Sequence, residues 1–324
     1  MGGREVPCFE APERAIEIER ALAADGGFAI VEPDRFGTDP IIAVHDRDLV
    51  DLVDTVWTDA LADADFDGSR PLIPDTFKLA SYPGPMQLGE SPSGAHRLGA
   101  FCFDTATPIV AGTAAAAHGA VDVALTTAAR VVGGERLAYG LCRPPGHHAA
   151  RGMLGGYCFF NNAAIVADWL RREAGHARVA ILDVDYHHGN GTQQIFWERG
   201  DVLYVSLHAD PARAYPYFSG YASETGDGDG AGRTQNLPLP AATGLDAIGA
   251  FAPDAPLVLS LGFDTFERDP IGDLALRTND YHALGEMVAA TRLPIVALQE
   301  GGYAIDAIGA NARAFLRGLR GESA

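Results

Sequence analysis

The segment ILDVDYHHGNGTQ, residues 181–193, sets Asp183, Asp185 and His187 at alternate positions after an apolar run. On an extended strand end, alternate residues face the same way. Three like-facing polar groups beside a buried strand are costly unless something pairs them. Carboxylate oxygens and a neutral imidazole suit a divalent metal such as zinc, whose catalytic sites use three protein ligands and keep one position open. A capped strand end with hydrogen-bonded carboxylates fits the same short pattern, so these residues alone leave both readings standing.

Three further stretches bear on the choice. Asp264, in SLGFDTFE, follows a second apolar run and is a candidate third ligand, although alone it could equally cap a helix. Two carboxylates and one histidine would neutralise a dication, leaving a site suited to a neutral amide. The pair His147–His148, in CRPPGHHAA, follows Pro144 and Pro145, which restrict the backbone and hold the imidazoles. Imidazole titrates near neutral pH, so adjacent histidines near a metal suit proton transfer; two solvent-facing loop histidines are the alternative. Tyr303, in LQEGGYA, is placed to hydrogen-bond an oxyanion, whereas a tyrosine after two glycines is by itself more often a packing residue.

These residues need elements that bring them together. Short β-branched runs at Phe28–Val31, Leu137–Cys142, Arg178–Val184, Val202–Leu207, Leu257–Leu261 and Pro294–Leu298 read as strands. Several are apolar on both faces, as central strands of a parallel sheet must be. Helical patterns cover Asp46–Ala62, Gly112–Val132, Asn162–Ala174, Thr278–Ala290 and Ile305–Leu319, with Asn161 or Asn162 as a cap for the third and Thr278 for the fourth. The alternation predicts an α/β protein with one parallel sheet and helices on both faces. No repeat or low-complexity linker divides residues 1–324, so a single domain is expected. The Pro/Gly-rich stretch Gly68–Phe103 reads as long surface loops near the site entrance. In open parallel sheets ligands gather beyond the C-terminal strand ends. RPPGHHA, DYHHGNG, His208, GFDTFE and QEGGY each follow a predicted strand.

Composition narrows the function. A formal charge of −19 argues against nucleic acid as a partner, since binding it needs a dense basic face, and is compatible with a cationic small molecule. The cysteines Cys8, Cys102, Cys142 and Cys158 form no CxxC pair, which suits reduced thiols and a cytoplasmic protein. No apolar run approaches the roughly 20 residues of a membrane span, and the N-terminus lacks a signal-peptide core.

With RPPGHHA, GGYCFFNNAAI, LDVDYHHGNGTQQIFW, SLHADP, SLGFDTFERDPIG and QEGGYA in order, the sequence resembles the histone deacetylase superfamily and, within it, the acetylpolyamine amidohydrolases. The match runs over roughly residues 40–320, the first 40 contributing little. The resemblance implies an arginase–deacetylase fold and zinc-dependent removal of acetyl groups from a small cationic acetylated amine, with ferrous iron as the other metal that fits. It implies Asp185, His187 and Asp264 as metal ligands and His147 and His148 as the catalytic pair. Asp183 would orient His147, and Asn190 would stand beside His148. It further implies Tyr303 at the transition state, and Tyr157, Gly156 and Tyr215 along a narrow tunnel. A structural potassium ion at Asp183, Asp185, His187, Ser206 and Leu207, and a homodimer or larger homo-oligomer, belong to the same expectation. Glu90 and Asp104 are acids that could meet a distant ammonium.

A protein-lysine deacetylase uses the same chemistry and is the main alternative. An arginase-like ureohydrolase would need further carboxylates for a second metal, and His188–Gly189–Asn190 supplies none. A non-catalytic binding protein is disfavoured by the joint presence of His147, His148, Asp264 and Tyr303.

Overall fold

The computed structural model describes residues 6–63, 65–78, 94–244 and 256–323. Among them the helices are α1 (Glu13–Asp25), α2 (Asp39–Ile42), α3 (Arg47–Leu61), α4 (Gly94–Arg97), α5 (Thr113–Val132), α6 (Asn162–Arg172), α7 (Asn190–Phe196), α8 (Thr278–Ala289) and α9 (Ile305–Arg320). The strands β1 (Leu137–Gly140), β2 (Val179–Asp183), β3 (Val202–Ala209), β4 (Thr234–Leu239), β5 (Leu257–Leu261) and β6 (Ile295–Gln299) form one sheet in the order β1-β6-β5-β2-β3-β4. All five pairings are parallel.

Alternation along the strands feeds two cores. Val179 and Ile181 of β2, with Val258 of β5 and Val296 of β6, face the layer formed by α3, α5 and α6. Ala180 and Leu182, with Leu257, Leu259 and Leu261, face α1, α8 and α9. Helices therefore cover both faces, as the continuous apolar strands require. Burying a Leu or Phe side chain of this kind contributes about 1.5–3 kcal/mol, and Leu49, Leu52, Phe315 and Leu259 are fully buried.

The path of the chain creates the crevice. From β2 it moves outward through β3 to β4, whereas β5 and β6 lie on the other side of β2. The C-terminal ends of β2 and β5 thus flank the point where the winding reverses, the ordinary ligand position in an open parallel sheet.

Several expectations need correction. Phe28–Val31 joins no strand; Ile30 and Val31 are exposed, and a cavity of about 600 Å3 lies between this segment and β1. Its backbone therefore does not reach the sheet edge, and Arg320 holds it instead, stacked over Phe28 and donating to the Gly27 carbonyl. Conversely, β4 is an edge strand whose TQNLPL sequence carries exposed and polar positions, so no apolar run announced it. The N-cap of α8 is Arg277, not Thr278; the Asp280 carboxylate accepts from the Arg277 N–H at 2.8 Å, while the Thr278 hydroxyl donates to Asn311. Asn161 does cap α6, accepting from Ala164 N–H at 2.9 Å. The Gly68–Phe103 stretch falls partly outside the described residues, as does Glu90; within the described part it holds the short α4, a 3-10 turn at Leu98–Ala100 and a bridge from Leu72 to Ile109. Cys102, Cys142 and Cys158 are buried free thiols, and Cys8 is exposed.

Candidate active site

Four strand ends deliver the polar residues. Past β2 come Asp185 and His187, and past β5 comes Asp264, from the two strands that flank the reversal point. Asp185, His187 and Asp264 are buried, and each offers a ligand atom within 4.8 Å of the others. His187 Nδ1 lies 3.0 Å from Asp264 Oδ2 and 3.3 Å from Asp185 Oδ1. Backbone amides aim the carboxylates: Gly301 N–H donates to Asp185 Oδ2 at 2.7 Å and Tyr186 N–H to Asp264 Oδ1 at 3.0 Å. Gly301 permits this approach, because a Cβ there would sit 2.4 Å from Asp264 Oδ2 and 2.6 Å from Asp185 Oδ2.

The charge balance of this trio fits a cation. Burial and the neighbouring Asp185 carboxylate push Asp264 up to about 7. Burial would lower His187, but the Asp185 and Asp264 carboxylates outweigh it and lift the imidazole to about 9. Asp185 is held well below the usual carboxylate range: burial opposes this, and His147 and His187 overcome it. Two carboxylates and one imidazole packed this closely away from water need positive charge, and a divalent ion supplies it with the ligand types zinc accepts.

His147 and His148, past β1, stand over the trio with ring centroids 4.1 Å apart. Their surroundings differ. His147 Nδ1 donates to Asp183 Oδ2 at 3.0 Å, and its Nε2 is 3.8 Å from Asp185 Oδ1. Burial works against its charged form, yet Asp183 and Asp185 raise it to about 10. His148 Nδ1 donates to Asn190 Oδ1, a neutral amide, at 2.7 Å. Burial, followed by the charges of His147 and His187, holds His148 well below its ordinary value. Before any ion binds, the carboxylates thus favour the charged form of His147, whereas burial and the neighbouring imidazoles favour the neutral form of His148, whose Nδ1 is engaged by Asn190.

The loop that carries the pair is fixed from two sides. Glu300 Oε2 accepts from Gly146 N–H at 2.6 Å and His147 N–H at 3.1 Å. Asn161 Nδ2 donates to the Ala149 carbonyl and to Thr192 Oγ1, both at 3.0 Å. Burial lifts the Glu300 carboxyl to about 7. Tyr303 follows β6, its N–H donating to Asp269 Oδ2 at 2.7 Å, with its ring 5.8 Å from Tyr157. Arg14, from α1, lies over the Tyr303 ring at 4.7 Å, donates from Nε to the Gly302 carbonyl at 2.6 Å and from Nη2 to the Glu300 carbonyl. Its Nη1 pairs with Glu10 at 3.1 Å.

Tyr157 and Tyr215 stand beside these groups. Tyr215 stands edge-on to His148 at 5.0 Å and to His187 at 6.1 Å. Gly156 lies against the His148 ring, where a Cβ would come within 2.3 Å, and its φ of +57° favours glycine for a second reason. Asp183 is opposite Ser206 in the β2–β3 register, with Leu207 next along β3.

The structure therefore brings His147, His148, Tyr303, Asp183, Asn190, Asp185, His187 and Asp264 to one crevice, with Tyr157, Gly156 and Tyr215 beside it. Sequence reasoning missed Arg14 and Glu300. Glu300 sits in the QEGGY motif already singled out, whereas Arg14 lies in a helix of ordinary composition. His45 is buried and structural: Nδ1 donates to the Ala150 carbonyl at 2.9 Å and Nε2 accepts from Asn161 N–H at 2.9 Å.

A parallel α/β sheet with a buried Asp-His-Asp group and an adjacent histidine pair defines the class of metal-dependent hydrolases. The chain belongs to the histone deacetylase domain family, which it matches over residues 8–319. It is 42% identical to acetylpolyamine amidohydrolase 1 of Pseudomonas aeruginosa, covering 99% of this chain and 94% of that one. Identity to the acetylpolyamine amidohydrolase of Mycoplana ramosa is also 42%, over the same shares of the two chains. The crystal structure of acetylpolyamine aminohydrolase from Burkholderia pseudomallei superposes with a TM-score of 0.89 at 41% identity, covering 98% of this chain and 92% of that one. The fold is thus the arginase–deacetylase fold, and the chain is a hydrolytic deacetylase with a buried Asp/His/Asp group that could bind its metal.

Proposed function

We propose that this deacetylase hydrolyses small acetylated amines, acetylpolyamines foremost, to the free amine and acetate. The observation that carries the reading is the buried Asp185–His187–Asp264 trio beneath a histidine pair with different partners, the Asp183 carboxylate for His147 and the Asn190 amide for His148. Whole-length similarity to enzymes named acetylpolyamine amidohydrolases supports the substrate class. Residues 1–324 form one catalytic domain on this reading.

Asp185, His187 and Asp264 would hold zinc, or ferrous iron. Bound there, such an ion supplies Lewis acidity that polarises a carbonyl and acidifies water. His148 Nε2 accepts the proton of the attacking water, whose oxygen bonds to the acetyl carbon. The Tyr303 hydroxyl donates to the carbonyl oxygen as it gains negative charge. His147, held cationic by Asp183, opposes that negative charge, and Asn190 keeps the His148 tautomer with Nε2 unprotonated. As the C–N bond breaks, a protonated histidine returns a proton to the amine nitrogen. Tyr157, Gly156 and Tyr215 confine a slender alkyl chain. Potassium at Asp183, Asp185, His187, Ser206 and Leu207 would stiffen the strand ends beneath the trio; the Asp183–Ser206 register supports that grouping.

The same reading makes the protein cytoplasmic, which its buried free thiols support; among the described residues no helix is long and apolar enough to cross a membrane. It also makes it a homodimer or larger homo-oligomer. Phe218, 93% exposed beside Tyr217 and Tyr221, is aromatic surface suited to self-association. Acetylputrescine and an acetyl-lysine peptide, assayed side by side, test the substrate assignment. Higher kcat/KM for acetylputrescine is expected, and a strong peptide preference would move the protein to the lysine deacetylases.

A further inference from the structure

Asp104 was read from the sequence as an acid that could meet a substrate ammonium, but its surroundings assign it another task. Its Oδ2 accepts two hydrogen bonds, from Gly156 N–H at 2.8 Å and from the Tyr215 hydroxyl at 2.7 Å. Its Oδ1 accepts two more, from Ala106 N–H at 3.0 Å and from the Thr107 hydroxyl at 3.2 Å. The Thr107 oxygen in turn accepts from Tyr157 N–H at 2.9 Å. A carboxylate with two donors on each oxygen has little capacity left for a ligand.

The partners are the two walls of the approach to His148. One wall is the Gly156–Tyr157 turn, where both residues take positive φ, +57° and +68°. Tyr157 is not glycine, so its left-handed backbone needs outside support. Asp104 and Thr107 supply that support by holding the two successive N–H groups of the turn. The other wall is the Tyr215 ring, which a hydroxyl bond to Asp104 fixes in rotation, and which stacks on Phe103 at 6.4 Å and 21°. Phe103 itself fills the space over Gly155, where a Cβ would lie 2.3 Å from its ring. The Phe103–Thr107 segment therefore touches both walls from behind and ties them together.

We propose that Asp104 is a positioning residue that sets the bore of the tunnel, and with it the preference for an unbranched alkylamide. The proposal rests on the deacetylase reading above and on Tyr157 and Tyr215 as tunnel walls. Asp104 touches neither the trio nor the histidine pair, so its loss acts on substrate fit. Asp104→Ala removes the oxygen that both walls share. Tyr215→Phe keeps the ring and removes one of the four bonds; it reads the same brace if the first variant does not accumulate in folded form.

The test is steady-state kinetics of the purified full chain with acetylputrescine and with an analogue methylated on the carbon next to the amide nitrogen. Asp104→Ala is expected to raise KM for acetylputrescine about tenfold, the scale of one hydrogen bond to a charged acceptor, with the larger effect in KM and not kcat. The preference for the unbranched substrate should fall by about tenfold, and the double variant with Tyr215→Phe should be little worse than Asp104→Ala alone, because both cut one brace. An unchanged branched-to-unbranched ratio overturns the proposal, as do fully additive effects or a loss confined to kcat. A wild-type protein inactive on acetylputrescine removes the function reading and the brace together. An active wild type with unaltered selectivity in the variants removes the brace alone.

Discussion

Replacement of Arg14 offers a test of how the N-terminal helix serves a site built at the far end of the sequence. Its guanidinium is buried and makes three directed bonds, to the carbonyls of Gly302 and Glu300 and to the Glu10 carboxylate, while its plane covers the Tyr303 ring. In Arg14→Ala the Gly302 carbonyl loses this donor; the Glu300 carbonyl retains Gln299 Nε2 at 3.1 Å, and Glu10 retains Arg143 at 3.0 Å. Each hydrogen bond to a buried charged donor contributes about 1.5–3 kcal/mol, and partial replacement leaves an expected loss of about 3–5 kcal/mol. Arg14→Lys separates folding from positioning. Lysine keeps the charge in a single ammonium but cannot fork across two carbonyls and stack on the ring at once. Its expected stability loss is smaller, while Tyr303 is no longer pinned. Removing an oxyanion donor outright costs about 10²–10³ in kcat, so a displaced donor should cost about 10–10² with KM little changed. Urea denaturation and initial-rate kinetics on acetylputrescine measure the two effects. Wild-type kcat in a folded Arg14→Lys protein would refute the reasoning, because the forked contacts would then not position Tyr303.

Other consequences follow from single residues. Tyr303→Phe should lower kcat by about 10² or more with the fold intact, and near-normal turnover would remove the oxyanion role. Burial, against hydrogen bonds to Ala150 and Arg151, holds His45 down at about 4 from an ordinary 6.5, so its folded value is the depressed one. The unfolded chain takes up this proton first, so the associated stability is complete above about pH 6.5 and disappears as pH falls towards 4. At about 1.4 kcal/mol per pKa unit it amounts to about 3 kcal/mol. Urea midpoints for wild type and His45→Gln between pH 7 and 4.5 check it; parallel pH profiles would count against the neutral buried imidazole.

Much of this arrangement was legible in the sequence because chemistry and burial leave different marks. Apolar runs two-sided enough for a central parallel strand gave β1, β2, β3, β5 and β6 within a residue or two at most ends. The polar residues after four of them proved to be neighbours, since parallel strands all end on the same edge. Phe28–Val31 has the same local composition, but being a strand requires a partner edge, which no local pattern records. For β4 the reverse holds: TQNLPL takes its conformation from pairing with β3. Arg14 was illegible because its role depends on α1 packing beneath the Gly301–Gly302 turn, more than 280 residues away in sequence. Asp104 carried a turn signature in DTAT, yet its two wall contacts come from residues 52 and 111 positions later.

The central claim is that one divalent ion, held by Asp185, His187 and Asp264, is required for amide hydrolysis. Metal analysis of the purified protein by inductively coupled plasma mass spectrometry, beside Asp264→Ala, tests it most directly. One divalent ion per chain is predicted in the wild type, with binding and acetylputrescine hydrolysis lost together in the variant and after chelation. Two ions per chain, or hydrolysis that survives full removal of the metal, would contradict it.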